Sequence, residues 1–416
     1  MAVPLTRPNP PRLSEHSALL REIEHRGIYS NFGPVNTALE QDLTSRMFAG
    51  EGSCMTVNNA TIGLMLAVQH AIGDRPVGRR YALMPAFTFA AAAQAAMWCG
   101  LVPLFCDIDP DSWAACPVDE ERLLAQYGGD IAVVMPYATF GYDIDLSRYA
   151  AIKARYGVPT VVDAAASLGT ASADGRGFGA GFGGSVVFSM HATKSFATGE
   201  AGIIYSVDQA AIAQMRQMCN FGFGKPRNAT MLGLNGKLSE VGALLAQLRL
   251  ADYDGVVAHR EGLLRGYRHA LPGLTFQSQG QGRQAHQFAS ALLPRTLTFR
   301  RAEVAAALAE DGIGSAAYFS PHLAQQDYFM EHATFGSLPV TDNVGSRIIS
   351  LPLFDAMTRR DLDEVTSSMQ RVLARLAPPA RRQRSRSSLS MPPLVLPAGA
   401  AFLDAGLADN RPDAPT

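Results

Sequence analysis

The sequence predicts an α/β protein, with a large domain on a mainly parallel sheet flanked by helices and a smaller C-terminal α+β domain. Three observations predict it. Strand-like and helix-like segments alternate from about residue 50 to residue 250, and alternation at that spacing marks parallel strands joined by covering helices. Strands such as SVVFSM and DIAVVM carry almost no polar face, which is how strands buried between two helical layers read. The chain has 416 residues, 47% hydrophobic and 18% charged. That is more than one compact core usually takes, so two domains are expected.

Along the chain, TVNNATIGLMLAVQHAIG reads as a loop feeding a helix. No residue from Tyr81 to Cys106 is charged, a stretch long enough to span a bilayer. Pro85, Thr88, Gln94, Gly100 and Pro103 interrupt it, and it parses instead as strand YALM, turn PAFTF, helix AAAAQAAMW, turn CGLVP and strand LFCDID. DIAVVMPYATFG is a strand with a polar exit, RYAAIKARYG an amphipathic helix ending at Gly157, and VPTVVDAAA a strand ending in an acid. SVVFSM and AGIIYS are further strands. After about residue 255, helical segments RRAEVAAALAEDG and RRDLDEVTSSMQRVLARL mix with short strands HQFASALLP and GSAAYF. Three parts are therefore expected: residues 1–254 as an N-terminal segment and large domain, 255–377 as the small domain, and 378–416 as a tail. Pro, Ser and Arg dominate the tail, with Arg381, Arg382, Arg384 and Arg386 close together, a composition expected to stay disordered.

The bulk numbers exclude some functions. A net charge of −1 supplies no field that would draw nucleic acid or an anionic membrane. The five cysteines (Cys54, Cys99, Cys106, Cys116, Cys219) are scattered and form no CxxC pair, so a reduced, cytoplasmic setting and no metal site are expected. The start, MAVPLTRPNPPRLSEH, holds no apolar core of signal-peptide length.

In open α/β sheets, ligands gather at the carboxyl ends of the strands, and the strand ends here carry suggestive groups. VVDAAASLG delivers Asp163 to the end of an apolar strand, either as a plain helix cap or as a carboxylate for a protonated pyridine nitrogen. VVFSMHATKSFATGEAG ends a strand and carries Lys194, with Ser189 five residues before it. Desolvation lowers a lysine's pKa and makes the amine nucleophilic; in isolation the segment reads rather as an exposed turn. Asn58, Asn59, Ala60 and Thr61 open an apolar helix, whose free N–H groups and dipole favour an anion. Phe89 follows a strand in PAFTF and is core aromatic or a ring to lie on a planar cofactor. An amine nucleophile, an acid, a stacking ring and a phosphate cradle together are what pyridoxal 5'-phosphate (PLP) needs.

These segments resemble the DegT/StrS family of sugar aminotransferases, within the fold type I PLP enzymes of the aspartate-aminotransferase superfamily. The resemblance runs from about residue 3 to residue 376 through NFGPVNTALE, VNNATIGLMLAV, MPAFTFAAAAQAAMWCGLVPLFCDIDPD, VVDAAASLGT, FSMHATKSFATGEAG, GLNGKLSEVGALLAQL and ISLPLFDAMTRRDLDEV. It implies that Lys194 holds the cofactor as a Schiff base, Asp163 pairs with the ring nitrogen and Phe89 stacks on the ring. It implies that Ser189, Ala60 and Thr61 bind the phosphate. Asn235, in GLNGKLSE, matches a residue that reaches the phosphate from a neighbouring subunit, which makes a homodimer with shared sites the expected assembly. His322, in YFSPHL, matches a position near the substrate end, and His191 is placed with it. Three positions depart from the common pattern: Ala166 for Gln, Leu168 for His, and GEAG for GEGG at Glu200–Gly202.

The resemblance implies a transaminase that takes an amino group from an amino acid such as L-glutamate and gives it to a nucleotide-linked keto-deoxysugar, at C4 of a 4-keto-6-deoxyhexose. A C3 aminotransferase, or another fold type I reaction, would share every cofactor residue. A non-catalytic PLP-binding partner or regulator is the alternative of another class, but Lys194 is present and no spare N-terminal length is expected to hold a DNA-binding domain.

Overall fold

The computed structural model describes residues 3–73 and 78–376; the expected tail at 378–416 lies outside the described residues. The helices α1 (Ser17–Arg26) and α2 (Pro34–Met47) lead into β1 (Ser53–Val57) and α3 (Ala60–Ile72). Next come β2 (Tyr81–Pro85), α4 (Ala90–Trp98), β3 (Val102–Cys106), α5 (Pro117–Tyr127), β4 (Ile131–Val134), α6 (Leu146–Tyr156) and β5 (Val161–Asp163). Two strands then follow without a helix between them, β6 (Ser185–Ser189) and β7 (Gly202–Ser206), before α7 (Gln209–Met218) and the long α8 (Glu240–Ala270). The remainder is β8 (Thr275–Phe276), β9 (Ala289–Leu292), α9 (Arg301–Glu310), α10 (Asp327–His332), β10 (Thr334–Phe335), α11 (Pro339–Arg347), β11 (Ile348–Leu351) and α12 (Arg359–Leu376).

Local chemistry sets the ends of these elements. Asn59 caps α3 by accepting the Ile62 N–H at 2.9 Å, Asp145 caps α6 through the Ser147 N–H at 2.9 Å, and Ser239 caps α8 through Gly242 at 3.1 Å. Gly157 ends α6 in the left-handed conformation that glycine adopts without penalty.

β1 to β7 and β10 form one wall. β10, β3, β2 and β4 pair in parallel, and parallel bridges Val134↔Thr160 and Tyr137↔Asp163 carry the wall on to β5. β5 and β6 are parallel, while β6/β7 and β7/β1 are antiparallel. The wall is buried on both sides with period two. Val162, Phe188, Ile203 and Tyr205 face one core; Val161, Val187 and Ile204 face the other. A second, antiparallel sheet, β11-β9-β8, lies in a third core with residues of α9 and α12, including Leu308, Val365 and Met369.

The expected α/β class and mainly parallel sheet are present, with particular differences. GSAAYF is not a strand; it meets β11 through the single bridge Ala316↔Ser350. Residue 254 falls inside the unbroken α8. The charge-free stretch 81–106 is β2, α4 and β3, and among the described residues no helix is long and apolar enough to cross a membrane.

Candidate active site

Strand direction alone brings the expected residues to one edge. β2, β4, β5 and β6 run the same way. β1 is antiparallel to β7, which is antiparallel to β6, so β1 shares their direction. All five carboxyl ends therefore lie on the same edge of the wall. β1 releases Asn58 and the start of α3 there, β2 releases Phe89, β5 ends on Asp163, and β6 ends on Ser189 and leads to Lys194.

Lys194 sits in the turn between β6 and β7. Backbone bonds from Lys194 N–H to His191 O (2.9 Å) and Ala192 N–H to Gly199 O (2.8 Å) close that turn, and Ser195 Oγ fixes it to α8 through Tyr253 Oη at 2.7 Å. The lysine's Nζ donates to Gln287 Oε1 at 3.2 Å. Burial pulls the amine down to about 8, with the Asp163 charge acting the other way. Asp163 is 2% exposed, and its Oδ1 accepts the Ala165 N–H at 3.0 Å. Burial pushes this carboxyl up to about 6, opposed by the Ala165 N–H and by Lys194. Next to it, the buried Tyr137 hydroxyl is pushed far up by burial and by the Asp163 charge.

The other expected residues have separate surroundings. Ser189 is buried, and its Oγ accepts the His191 N–H at 3.2 Å, which leaves the hydroxyl proton to donate. Phe89 precedes α4, is 59% exposed, and has its ring 6.4 Å from that of Phe319. Asn235 is exposed, and its Oδ1 accepts from Lys237 Nζ at 2.6 Å; the adjoining Gly236 carbonyl accepts the Asn58 N–H at 2.7 Å. His191 is half-buried, Nδ1 2.9 Å from Thr193 Oγ1 and Nε2 3.5 Å from Glu200. His322 is buried, with Nε2 2.9 Å from Asp342 Oδ1, so that nitrogen is engaged within the protein. The departures Ala166, Leu168 and Ala201 are all buried, making the nearby wall apolar. An open cavity of about 850 Å³ is lined by residues between Gly27 and Gln41, and by none of these site residues.

Reading the residues alone missed Gln287 and Tyr137. Gln287 lies just ahead of β9, where HQFASALLP reads as a strand with a polar start. Tyr137 lies in the polar exit of β4, and its position after a buried strand was the available signal.

These residues fit PLP. Asn58 Oδ1 and Thr88 Oγ1 are buried without partners among the described residues, and such atoms mark where a ligand completes the bonding. The first-turn N–H groups of Ala60 and Thr61 have no acceptor within α3, as an anion requires. Lys194 is an amine able to lose its proton near neutral pH, and Asp163 is a buried acid ready for a cationic partner. PLP, when bound, supplies an electron sink for carbon–hydrogen cleavage next to nitrogen. Among the described residues, no group of three or more His, Cys, Asp or Glu could hold a metal ion.

Comparison with known proteins agrees. Rv3402c of Mycobacterium tuberculosis H37Rv is 33% identical over 374 residues, covering 88% of this chain and 89% of that protein. A crystal structure from Bacillus cereus ATCC 10987, assigned as a PLP-dependent aminotransferase, is 34% identical with a TM-score of 0.84, covering 89% of this chain and all of that one. The dTDP-4-amino-4,6-dideoxy-D-glucose transaminase of Escherichia coli is 25% identical over 88% of this chain and 97% of its own. The DegT/DnrJ/EryC1/StrS aminotransferase family model matches residues 12–370, and the chain belongs to that family as a PLP-dependent aminotransferase.

Proposed function

We propose that the enzyme moves an amino group from L-glutamate to the keto group of a nucleotide-linked sugar, at C4 of a 4-keto-6-deoxyhexose. The observation that carries the chemistry is the meeting of a buried amine at about 8 and a buried carboxyl at about 6 on one strand-end edge. The named activity of the E. coli relative supports the sugar class and the carbon.

In this reading Lys194 Nζ takes a proton from the donor's α-carbon and later returns one to the sugar carbon. Asp163 keeps a proton on the cofactor's ring nitrogen. The Phe89 ring covers the cofactor, and Ser189 Oγ with the Ala60 and Thr61 N–H groups holds its phosphate. Asn235 reaches the phosphate of a second copy, so a cytoplasmic homodimer is the working assembly. His191 and His322 lie toward the sugar.

The test is an absorbance titration of wild type and Lys194→Ala with PLP, before and after L-glutamate, followed by a panel of nucleotide-linked 4-keto and 3-keto sugars. The expected result is a lysine-dependent band that glutamate removes and that 4-keto acceptors restore. Restoration by 3-keto acceptors alone would move the amination to C3. A band that does not depend on Lys194 would sink the reading.

A further inference from the structure

We propose that Gln287 is a positioning residue for Lys194: its amide oxygen holds the lysine's amine whenever Nζ is not bonded to the cofactor. This rests on the reading of Lys194 as the cofactor lysine.

Lys194 Nζ lies 3.2 Å from Gln287 Oε1. A lysine nitrogen offers hydrogens, so the amide atom facing it is the oxygen. Gln287 is 5% exposed, and its backbone is itself fixed. Arg260 Nη1 donates to the carbonyls of Gln287 (3.3 Å), His286 (3.3 Å) and Leu353 (3.2 Å). The same guanidinium is clamped on Asp355 Oδ1 by Nε at 2.8 Å and Nη2 at 2.6 Å. The contact therefore joins the turn after β6 to a braced backbone segment, two residues ahead of β9.

The chemistry of the partner matters. A lysine that moves protons between carbons must alternate between ammonium and amine without leaving its place. A neutral amide accepts from either state, whereas a carboxylate would hold the ammonium and an apolar side chain would hold neither. The charged and titratable surroundings are consistent with this. Asp163 acts on Lys194 from β5. Tyr137, after β4, is held neutral by burial. His286, beside Gln287, is pushed down to about 3 by burial, then by Arg268 and Arg260, so it is neutral. Arg260 is matched by Asp355, 2.6 Å away. On the lysine's own turn, His191 is paired with Glu200. Asp163 is thus the ionised group that acts on the amine, and Gln287 adds a bond without adding charge.

The chain has four lysines, Lys153, Lys194, Lys225 and Lys237, so each can be followed separately. The experiment is trace acetylation of full-length, PLP-stripped protein with acetic anhydride across pH, read by mass spectrometry at each lysine. Wild type, Gln287→Glu and Gln287→Leu are compared, with Lys153 as the internal standard. The expected midpoints for Lys194 fall in the order Glu, Gln, Leu, highest first. In Gln287→Glu the midpoint rises by about 1 unit or more, and labelling of Lys194 near neutral pH falls roughly tenfold. A leucine variant that unfolds labels Lys194 like Lys153, and the near-isosteric Gln287→Glu then decides alone. Equal Lys194 midpoints in wild type and Gln287→Glu overturn the proposal. A parallel arm adds PLP to wild type: protection of Lys194 supports the cofactor reading, and absence of protection overturns that reading separately from the midpoints.

Discussion

Lys194 and Asp163 act on one another's charge from neighbouring strand ends, and burial drives their proton equilibria toward each other, to about 8 and about 6. Both shifts oppose folding where both groups are charged. Asp163 binds its proton more tightly folded than unfolded, so its contribution is full below about pH 4 and is lost as pH rises through about 6. Lys194 binds its proton less tightly folded, so its contribution is full above about 10.5 and is lost as pH falls through about 8. Without cofactor, the pair is least favourable to folding between about pH 6 and pH 8. Tight binding of a cationic ring beside Asp163 reverses that.

Replacing Asp163 by Asn should therefore stabilise the PLP-free protein at pH 7, by about 1 kcal/mol or more, while activity is lost. Urea unfolding at pH 7 and pH 4 measures it. The gain should vanish at pH 4, and a variant equally or less stable at pH 7 would contradict the assignment.

Gly202 lets β7 approach the start of α3. A Cβ there would lie 2.8 Å from Ala60 N and 3.0 Å from Ala60 Cα, both backbone atoms with little room to move. Gly202→Ala should displace the first turn of α3 and weaken PLP binding by about tenfold or more, since about 1.4 kcal/mol corresponds to that factor. Fluorescence titration of PLP reads it, and unchanged affinity would remove the α3 entrance from the phosphate site.

Asp355 is buried between two arginines, 2.6 Å from Arg260 Nη2 and 3.2 Å from Arg249 Nη2. Asp355→Asn leaves the Arg260 guanidinium without its counter-charge and Arg249 with only the exposed Asp252 at 3.7 Å, and breaking such a buried pair costs about 3–5 kcal/mol. Thermal unfolding should show a large drop in Tm. A loss below about 1 kcal/mol would mean that the arginines find water.

Glu240 stands at the start of α8 and accepts the Val35 and Asn36 N–H groups at the start of α2, at 2.8 and 3.0 Å. One carboxylate thus faces two positive helix ends. Glu240→Gln keeps the shape but not the charge and should lose about 1–3 kcal/mol in urea unfolding. Full stability in the variant would show that the amide serves equally well.

Much of the fold was legible because the parallel strands carry their burial in sequence. Val161–Val162 and Val186–Phe188 are apolar on both faces, and Asp163 and Lys194 stand out for their position at the ends of such strands. β7 was legible as the strand AGIIYS but its antiparallel direction was not, although the signal was present: MHATKSFATGEA between the two strands has no helical period, and parallel neighbours need a crossover. GSAAYF has strand composition, but it meets the outer edge of β11 only at Ala316↔Ser350. The acceptor on Lys194 was hidden for another reason: Gln287 is 93 residues away in sequence, and no local pattern encodes a contact that tertiary folding alone creates.

The unbroken α8 constrains how this protein can be recombined with its relatives. At about 1.5 Å per residue, its 31 residues make a strut of roughly 46 Å, anchored at one end by Glu240 and toward the other by Arg260. Tyr253 and Val257, both fully buried, pack in the core on either side of residue 254. A chimera joined at 254 would splice two half-helices evolved against different neighbours, whereas a junction after Leu271 would exchange intact units.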